Sequence, residues 1–441
     1  MSQYLLDFIY TFTNCLCCFP GTPQLKINSR SFKILRLLGE GGFSYVYLVQ
    51  ENSTSQIYAL KKIRCPFGQE SVSLALKEVE AYALFSPHPN IIHSIDHSVS
   101  SSSSRYDKIN GSSDPGAKTV YILLPYYRRG NLQDAINANL VNHTKFPERR
   151  LMILMLGVAK ALKAMHQYRV GSGPGGAKSK GNARRVREEA EDADEDAAME
   201  VQRSRRGKNR PADPDEVEQV PLMEGEVTQS QEGVAEGELR AYAHRDIKPG
   251  NIMISDDGTT PILMDLGSVA PSPLPITSRS LALAVQDTAA EHSTLPYRAP
   301  ELFDVKTGSI IDTKVDIWSL GCTLYACLVG KSPFEMRSEE TGGSLSICIL
   351  SGDWRFPDEG KKHTSGKGKQ RVGSDLAASA NGGGAAAAAD AEEKVSDEVK
   401  EVVRRCLKVE AAERPDVDEL IEMIEEVIEE LPADDGTHDS M

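Results

Sequence analysis

The first part of the chain shows the alternation of apolar and polar positions that is typical of β-strands. The stretch FKILRLLGEGGFSYVYLVQ, which begins at residue 32, predicts a strand, a glycine turn and a second strand, and QIYALKKI predicts a third. TVYILLPYY predicts a buried strand that ends near a proline. Between these strands, ESVSLALKEVEAYALF has helical spacing, and its predicted buried face is Val72, Leu76, Val79 and Ala83.

After about residue 130 the apolar positions change to helical spacing. RRLMILMLGVAKALKAMH predicts a long amphipathic helix with this inner face: Leu151, Leu154, Met155, Val158, Leu162 and Met165. IWSLGCTLYACLVG is flanked by Asp316 and Lys331 and is too short to span a bilayer, which needs about 20 apolar residues, so it predicts a buried core helix. These elements predict an α+β fold with a small β-rich lobe and a larger, mainly α-helical lobe.

Three segments of biased composition interrupt this pattern. The first, at about 98–118, is Ser-rich, and the second, at about 169–240, mixes Gly-rich, basic and acidic stretches. The third, at about 358–394, is rich in Gly and Ala. None can bury enough apolar surface to offset the entropy of ordering, so we interpret them as disordered surface insertions. The basic blocks near Arg184 and Arg205 could contact anionic lipid, but the acidic runs beside them favour a solvated polyampholyte.

Composition narrows the class of function. The balance of 40% hydrophobic and 26% charged residues is typical of soluble globular proteins. A net charge of -14 argues against nucleic acid as a partner, because phosphate binding needs clustered cations. Eight cysteines are few for 441 residues and most stand singly among apolar neighbours, which favours a reducing compartment.

Two motifs indicate chemistry. Gly39, Gly41 and Gly42 are typical either of a tight hairpin or of a loop that lets backbone amides approach phosphates. A dinucleotide-binding loop is excluded, because that loop opens into a helix whereas YVYLVQ continues as a strand.

The stronger motif is AHRDIKPGNIMI followed by PILMDLGS. Asn251 and Asp265 are oxygen ligands of the kind that Mg²⁺ prefers. Lys248 can neutralise charge on a transferring phosphoryl group, and Asp246 can orient a hydroxyl and accept its proton. Core packing alone does not call for this set of polar groups.

These motifs, in this order, resemble those of eukaryotic protein kinases from about residue 32 to 430. The resemblance implies a bilobal kinase domain at 31–432, with a small lobe at 31–125 and a large lobe at 128–432. An amino-terminal segment at 1–30 and a disordered tail at 433–441 would flank it. It also implies ATP with Mg²⁺, or Mn²⁺ in its place, as cofactors.

Residue roles follow from the resemblance, position by position. Lys61 would contact the α/β-phosphates and pair with Glu78, while Leu124 would be the gatekeeper. Asp246 and Lys248 would be catalytic, and Asn251 and Asp265 would hold the metal. The implied ATP-binding positions are Gly39, Glu40, Gly41, Gly42, Phe43, Val46, Ala59, Lys61, Glu78, Leu124, Pro125, Tyr127 and Asn251.

The resemblance extends to structural positions. Glu301 in YRAPE would pair with Arg414 in ERPD, and Asp316 would be buried and brace the catalytic loop. Two positions depart from the family pattern: Ser44 replaces the third loop glycine, which predicts a slightly stiffer loop, and Leu266 replaces phenylalanine. Neither change removes a catalytic group, so we expect activity.

Lys248 together with Thr294 resembles serine/threonine kinases rather than tyrosine kinases. The expected partners are therefore proteins with Ser or Thr hydroxyls. A kinase-shaped scaffold without catalysis and a kinase acting on lipids are the alternatives. The complete set of catalytic residues argues against the scaffold, and YRAPE with DIWSLG favours protein substrates over lipids.

A narrower resemblance rests on GEGGFSYVYLV, LLPYYRRGNL, MDLGSV and TLPYRAPELF. These stretches are similar to the Numb-associated kinase family, in particular its lipid-anchored branch of myristoylated and palmitoylated kinases with fungal vacuolar relatives. That branch carries an extra helix in the activation segment, and residues 278–294 are helix-compatible. We expect this segment to be ordered without obligatory phosphorylation.

Cys15, Cys17 and Cys18 lie beside an apolar amino-terminal stripe. A disulfide does not suit a reducing compartment, and zinc would need a second cluster of ligands. The stretch before them contains Asp7 and lacks a basic region and a cleavage site, so we do not interpret it as a signal peptide. S-acylation fits best, with unmodified or reactive cysteines as alternatives, and Ser2 stands where myristoylation needs Gly. We expect peripheral attachment to the cytoplasmic face of an internal membrane, vacuole or Golgi, and a role in membrane trafficking or fusion.

Overall fold

The alternating strands of the first part form one antiparallel sheet in the computed structural model, which describes residues 25–101, 118–170, 237–359 and 394–433. Its strand order is β1-β2-β3-β4-β6-β5, and the glycine turn joins β2 to β3. The strand bounds are β1 Leu25–Ile27, β2 Arg30–Glu40, β3 Ser44–Glu51, β4 Ile57–Cys65, β5 Asp96–Ser101 and β6 Lys118–Pro125. All four strands and the turn that the sequence pattern predicts in this region are confirmed.

Backbone contacts divide the chain into two compact units, which are described separately here. The first comprises Met1–Ser86 and Ile92–Tyr126, and the second comprises Pro87–Ile91 and Tyr127–Met441. The cysteines at positions 15, 17 and 18 lie outside the described residues.

The sheet of the first unit buries an apolar cluster and carries one helix, α1 (Gly68–Leu84). The buried face of α1 contains Val72, Ala75, Glu78, Val79 and Tyr82. The prediction was therefore wrong for Ala83, which is exposed, and for Leu76, which is only partly buried. At 3.6 residues per turn, the observed face is rotated from the expected one toward Glu78. The ion pair that Glu78 makes with Lys61 accounts for that rotation.

The boundary of the first insertion also differs from the expectation. Residues 98–101 belong to β5 and pair with β6, with Val99 opposite Val120 and Ser101 opposite Lys118. Serine is tolerated here because β5 is an edge strand, whose backbone pairs with β6 on one side and which needs little burial to form.

The second unit is mainly helical. Its helices are α2 Leu132–Asn142, α3 Glu148–His166, α4 Arg279–His292, α5 Lys314–Val329, α6 Pro333–Thr341, α7 Leu345–Ser351, α8 Asp397–Cys406 and α9 Val417–Glu430. Short strand pairs accompany them: β7 Ala241–Ala243 with β10 Ala270–Ser272, β8 Ile252–Ile254 with β9 Pro261–Leu263, and β11 Leu274–Pro275 with β12 Ile310–Ile311. The structure thus has the α+β fold that the pattern predicts, with a β-rich first unit and a mainly helical second unit.

Two helices form the centre of this unit. All six residues predicted for the inner face of α3 are buried. In α5 every residue from Val315 to Cys327 is buried, which confirms the predicted core helix, since a helix that is apolar all round belongs in an interior. Among the described residues, no helix combines the length and apolar character needed to cross a bilayer.

The ends of two insertions are joined by direct contacts in the described part of the chain. Val170 N donates to Glu238 O at 3.0 Å, and Gly237 N donates to Val170 O at 2.7 Å. The chain therefore leaves at 170 and returns at 237 beside the same backbone groups. At the other insertion, Lys400 of α8 pairs with Asp358 at 2.7 Å.

Candidate active site

In the first unit, Lys61 of β4 is fixed by a carboxylate of α1. Its Nζ lies 2.8 Å from Glu78 Oε1 and 3.0 Å from Glu78 Oε2. Tyr82, one helical turn after Glu78, donates its hydroxyl to Glu78 Oε1 at 2.7 Å. Because Glu78 and Tyr82 are buried, this carboxylate has a defined orientation and holds the Lys61 ammonium in place.

Four predicted ATP-binding side chains share one face of the sheet. Val46 lies directly opposite Lys61, and Ala59 lies directly opposite Leu124. Since Ala59 and Lys61 are two residues apart on β4, all four side chains point to the same side. The apolar cluster around Leu60 occupies the other side.

The glycine turn is a tight connection, in which Gly41 N donates to Ser44 O at 2.8 Å. None of Gly39, Gly41 and Gly42 has a positive φ. A Cβ added at Gly39 or Gly42 would meet nothing within 4 Å. Neither backbone conformation nor packing within the described residues therefore requires glycine at these two positions, whereas a phosphate approaching the backbone would. Ser44 starts β3 without a positive φ, so the lower tolerance of serine for that conformation does not stiffen the loop at this position.

In the second unit, Asp316 braces the catalytic loop, defined here as residues 244–251. It is completely buried, and its carboxylate accepts hydrogen bonds from His244 N and Arg245 N, both at 2.8 Å. His166 Nε2 lies 2.9 Å from the same carboxylate. Burial alone would raise the pKa of Asp316, but these hydrogen bonds hold it below its ordinary value. The loop is thus anchored at its start by a charged group from α5.

The carboxylate of Asp246 is the centre of the site in this unit. Lys248 Nζ at 2.8 Å and Asn251 Nδ2 at 2.9 Å donate to Oδ2. Thr294 donates to Oδ1 twice, from its backbone N at 2.9 Å and from its hydroxyl at 2.8 Å. Lys248 Nζ also donates to Thr294 Oγ1 at 2.6 Å. Both oxygens are therefore oriented, as a carboxylate that positions and deprotonates a hydroxyl requires.

Asn251 and Asp265 are brought together by the strand pair that follows the catalytic loop. Met264 N donates to Asn251 O at 2.9 Å, which places Asp265 next to Asn251 along the backbone. Asp265 has φ 60° and ψ 69°, a left-handed conformation that costs roughly 1–3 kcal/mol for such a residue and is typical of functional sites. Leu266 after it is buried.

The donors of this pair fit a small hard cation. The amide nitrogen of Asn251 is used by Asp246, and its amide oxygen accepts no hydrogen bond from the described residues. No cluster of three or more His, Cys, Asp or Glu side chains that could hold a metal occurs in the described ranges. A cation here would rest on one carboxylate, one amide oxygen and ligands from outside the chain, a combination that Mg²⁺ accepts.

Glu301 and Arg414 form an ion pair in which the arginine side chain is fully buried and the glutamate is partly exposed. Arg414 donates to both oxygens of Glu301, at 2.7 and 2.8 Å, and its guanidinium lies over the ring of Trp318 at 4.9 Å. The segment after the catalytic loop is thereby joined to the start of the last helices.

The predicted site residues fall into two groups, one in each unit. The first unit contains Gly39, Glu40, Gly41, Gly42, Phe43, Val46, Ala59, Lys61, Glu78, Leu124 and Pro125. The second contains Tyr127, Asp246, Lys248, Asn251, Asp265, Glu301, Asp316 and Arg414.

Sequence reasoning missed two residues that orient these groups: Tyr82 and His166. Tyr82 could have been found from its position four residues after Glu78 on one helix. The contact of His166 with Asp316 spans 150 positions and leaves no local pattern in the sequence.

Comparisons with known proteins agree with this geometry. The protein kinase domain family matches residues 32–171 and 239–424. Serine/threonine-protein kinase ENV7 of Saccharomyces cerevisiae is 32% identical over 424 residues, which cover 93% of this chain and 96% of that protein. Serine/threonine-protein kinase ppk13 of Schizosaccharomyces pombe is 32% identical over 337 residues, covering 76% of this chain and 82% of that protein.

Human serine/threonine-protein kinase 16 is 29% identical over 337 residues, or 76% of this chain and 81% of that protein. The family match covers most of the chain and includes the glycine turn, the catalytic loop and the Glu301 segment. The chain therefore belongs to the protein kinase family and is a serine/threonine protein kinase.

Proposed function

We propose that Asp246 is the base that accepts the proton of the substrate hydroxyl. The observation that carries this proposal is the carboxylate held by donors from Lys248, Asn251 and Thr294. Donors on both oxygens fix the orientation of this carboxylate before a substrate hydroxyl arrives. Lys248, which touches both Asp246 and Thr294, neutralises charge next to the reacting oxygen.

The same proposal assigns the cofactor groups. Magnesium, bound with ATP, supplies charge neutralisation for the phosphates. Asn251 and Asp265 would hold the metal through oxygen atoms, and Lys61, oriented by Glu78, would hold the α/β-phosphates. The open space above Gly39 and Gly42 supports backbone contact with a phosphate at the glycine turn. The ATP ring would rest on the sheet face that carries Val46, Ala59 and Leu124.

The test is phosphate transfer from labelled ATP to a Ser/Thr peptide library by purified protein. Asp246→Asn should lower kcat by roughly 10²- to 10⁴-fold, the usual contribution of a positioned base. Lys61→Met should also abolish most transfer. Their matched controls are Asp287→Asn, exposed on α4, and Lys62→Met, whose side chain points to the opposite face of β4 from Lys61.

Equal incorporation by wild type, Asp246→Asn and Lys61→Met would mean a contaminating kinase. No incorporation by wild type would favour the non-catalytic scaffold.

We further propose that the cysteines at 15, 17 and 18 are S-acylated and attach the kinase to an internal membrane, where it acts in trafficking or fusion. All five cysteines of the described residues are buried. Burial raises the pKa of the Cys406 thiol to about 12, which disfavours the reactive thiolate. Acyl transfer needs an accessible thiol, so among the eight cysteines the amino-terminal three are the candidates.

Replacing all three cysteines by Ser should move the kinase from the membrane to the supernatant fraction and abolish hydroxylamine-sensitive acyl labelling. Cys348→Ser is the matched control, since Cys348 is a buried cysteine of the folded part. An unchanged membrane fraction of the triple variant would overturn the anchor. Fluorescence microscopy of the wild type would then distinguish vacuole from Golgi.

Membership of the lipid-anchored branch of Numb-associated kinases is part of the same proposal. It is supported by α4 (Arg279–His292), which occupies the activation segment where that branch carries an extra helix. Ser278 caps α4 by accepting from Leu281 N, so the helix has its own start signal without a phosphate. Activity that persists after phosphatase treatment would support a segment ordered in this way, and its loss would overturn it.

A further inference from the structure

Arg298 is a buried cation that the proposed chemistry does not use. It is 9% exposed and its guanidinium lies 5.2 Å from the ring centre of Phe303. Its Nε donates to Ser293 Oγ at 2.7 Å, and its Nη2 donates to Ser293 O at 3.0 Å and to Ala290 O at 3.4 Å. All three acceptors belong to two residues at one end of α4.

That end is the carboxyl terminus of α4, where backbone carbonyls lack partners within the helix. A guanidinium there satisfies the carbonyls and interacts favourably with the helix dipole. Ser293 is tied to the helix as well, because its N and Oγ donate to Ala289 O at 3.1 and 2.6 Å. Arg298 and α4 therefore hold Ser293 from two sides.

The residue after Ser293 is Thr294, which contacts the proposed base directly. Thr294 N and Oγ1 donate to Asp246 Oδ1, and Thr294 Oγ1 accepts from Lys248. A shift of the backbone at Ser293 would thus be transmitted to Asp246 through one peptide bond. Burial lowers the pKa of Arg298 and the charge of Asp246 raises it, so the two groups also interact electrostatically.

We propose that Arg298 is a positioning residue, which fixes the carboxyl end of α4 and thereby holds Thr294 against Asp246 and Lys248. This inference rests on the proposed function of Asp246. In this arrangement the guanidinium of Arg298 orders the end of the activation segment. A phosphate on the segment is then not needed for that ordering.

The expected effect is on kcat rather than on binding of ATP. Arg298→Met keeps an unbranched apolar stem but removes all three hydrogen bonds. A misplacement of about 1 Å near reacting groups can cost 10²-fold. We expect a 10- to 100-fold lower kcat with an unchanged KM for ATP. Arg298→Lys keeps the charge but lacks the planar set of donors, so its kcat should be intermediate.

The matched control is Arg279→Met. Arg279 is an exposed arginine at the opposite end of the same helix, so the variant has the same change in net charge and should keep wild-type kcat. Phosphatase treatment of the wild type should not change kcat.

A double-mutant cycle with Thr294→Ala separates positioning from general destabilisation. If Arg298 acts through Thr294, Arg298→Met should lower kcat much less in the Thr294→Ala background than in the wild type. Equal fold reductions in both backgrounds would overturn the inference, as would a wild-type kcat for Arg298→Met.

If Arg298→Met does not fold, the same cycle is measured with Ser293→Ala, which removes the hydroxyl that accepts from Arg298 Nε and donates to Ala289 O. An inactive wild type would instead overturn the proposed function of Asp246, so the two failures are distinct.

Discussion

Removal of the Arg414 guanidinium should destabilise the protein strongly, because this buried group donates five hydrogen bonds. Two go to Glu301 and three to backbone carbonyls of Lys314, Lys408 and Val409, at 2.8 to 3.0 Å. Arg414→Met leaves the Glu301 carboxylate without its partner, and breaking a buried ion pair from one side costs about 3–5 kcal/mol.

The low end of that range applies to the carboxylate, since the Glu301 side chain is 21% exposed and can regain some water. The three carbonyls add little to this loss, because they belong to residues that are exposed or partly exposed, so water can replace the guanidinium there. At about 2 °C per kcal/mol for a large chain, we expect Tm to fall by about 6–10 °C.

Thermal unfolding followed by tryptophan fluorescence measures this loss at the right place, since Trp318 lies under the guanidinium. Lys331→Met is the control: Lys331 and Glu339 have the same 2.7 Å separation but are about half exposed, so this pair contributes less than about 1 kcal/mol. Similar Tm values for Arg414→Met and Lys331→Met would refute the argument that burial makes the Arg414 pair important.

Three further predictions concern other parts of the chain. The guanidinium of Arg30 holds the pKa of Glu51 at about 2 instead of 4.5, so the Glu51 charge stabilises the fold above pH 4.5 and this stabilisation is lost as the pH falls toward 2. The Tm difference between wild type and Glu51→Gln should therefore shrink over that range. A constant Tm difference would contradict the stabilising role of the pair. Replacing residues 171–236 by a two-residue turn should leave kcat within about twofold of wild type and Tm within about 2 °C, because the chain leaves and returns beside the same hydrogen-bonded backbone groups. Kinase assays and thermal unfolding would reveal any larger loss. Gly321→Ala should lower the free energy of unfolding by about 1–3 kcal/mol in urea, because the Cβ of the new alanine would lie 2.5 Å from Cys406 Cβ. A stabilised variant would mean that α5 and α8 can separate at no cost.

Periodicity in the sequence was sufficient for the elements but not for their exact faces. The strands around the glycine turn and the inner face of α3 follow directly from apolar spacing. The face of α1 does not, because a charged residue, Glu78, is turned inward by its pair with Lys61. Hydrophobic patterns report which side avoids water, and they carry no information on a buried ion pair.

The serine-rich range shows the same limit. Its composition indicated a loop from residue 98, yet Ser98–Ser101 extend β5 because β6 offers a complete row of backbone partners. Composition describes what a segment cannot bury, whereas an edge strand needs little burial to form.

The sequence by itself determined the order of elements and the class of enzyme, and it predicts the catalytic groups, because each depends on residues that are close in the chain. Only the tertiary structure decided how those groups are held: Asp316 reaches back to His166 and His244, and Thr294 meets Asp246 across 48 positions. Hydrogen bonds are directional and short, so whether two distant residues make one depends on coordinates that no local pattern encodes.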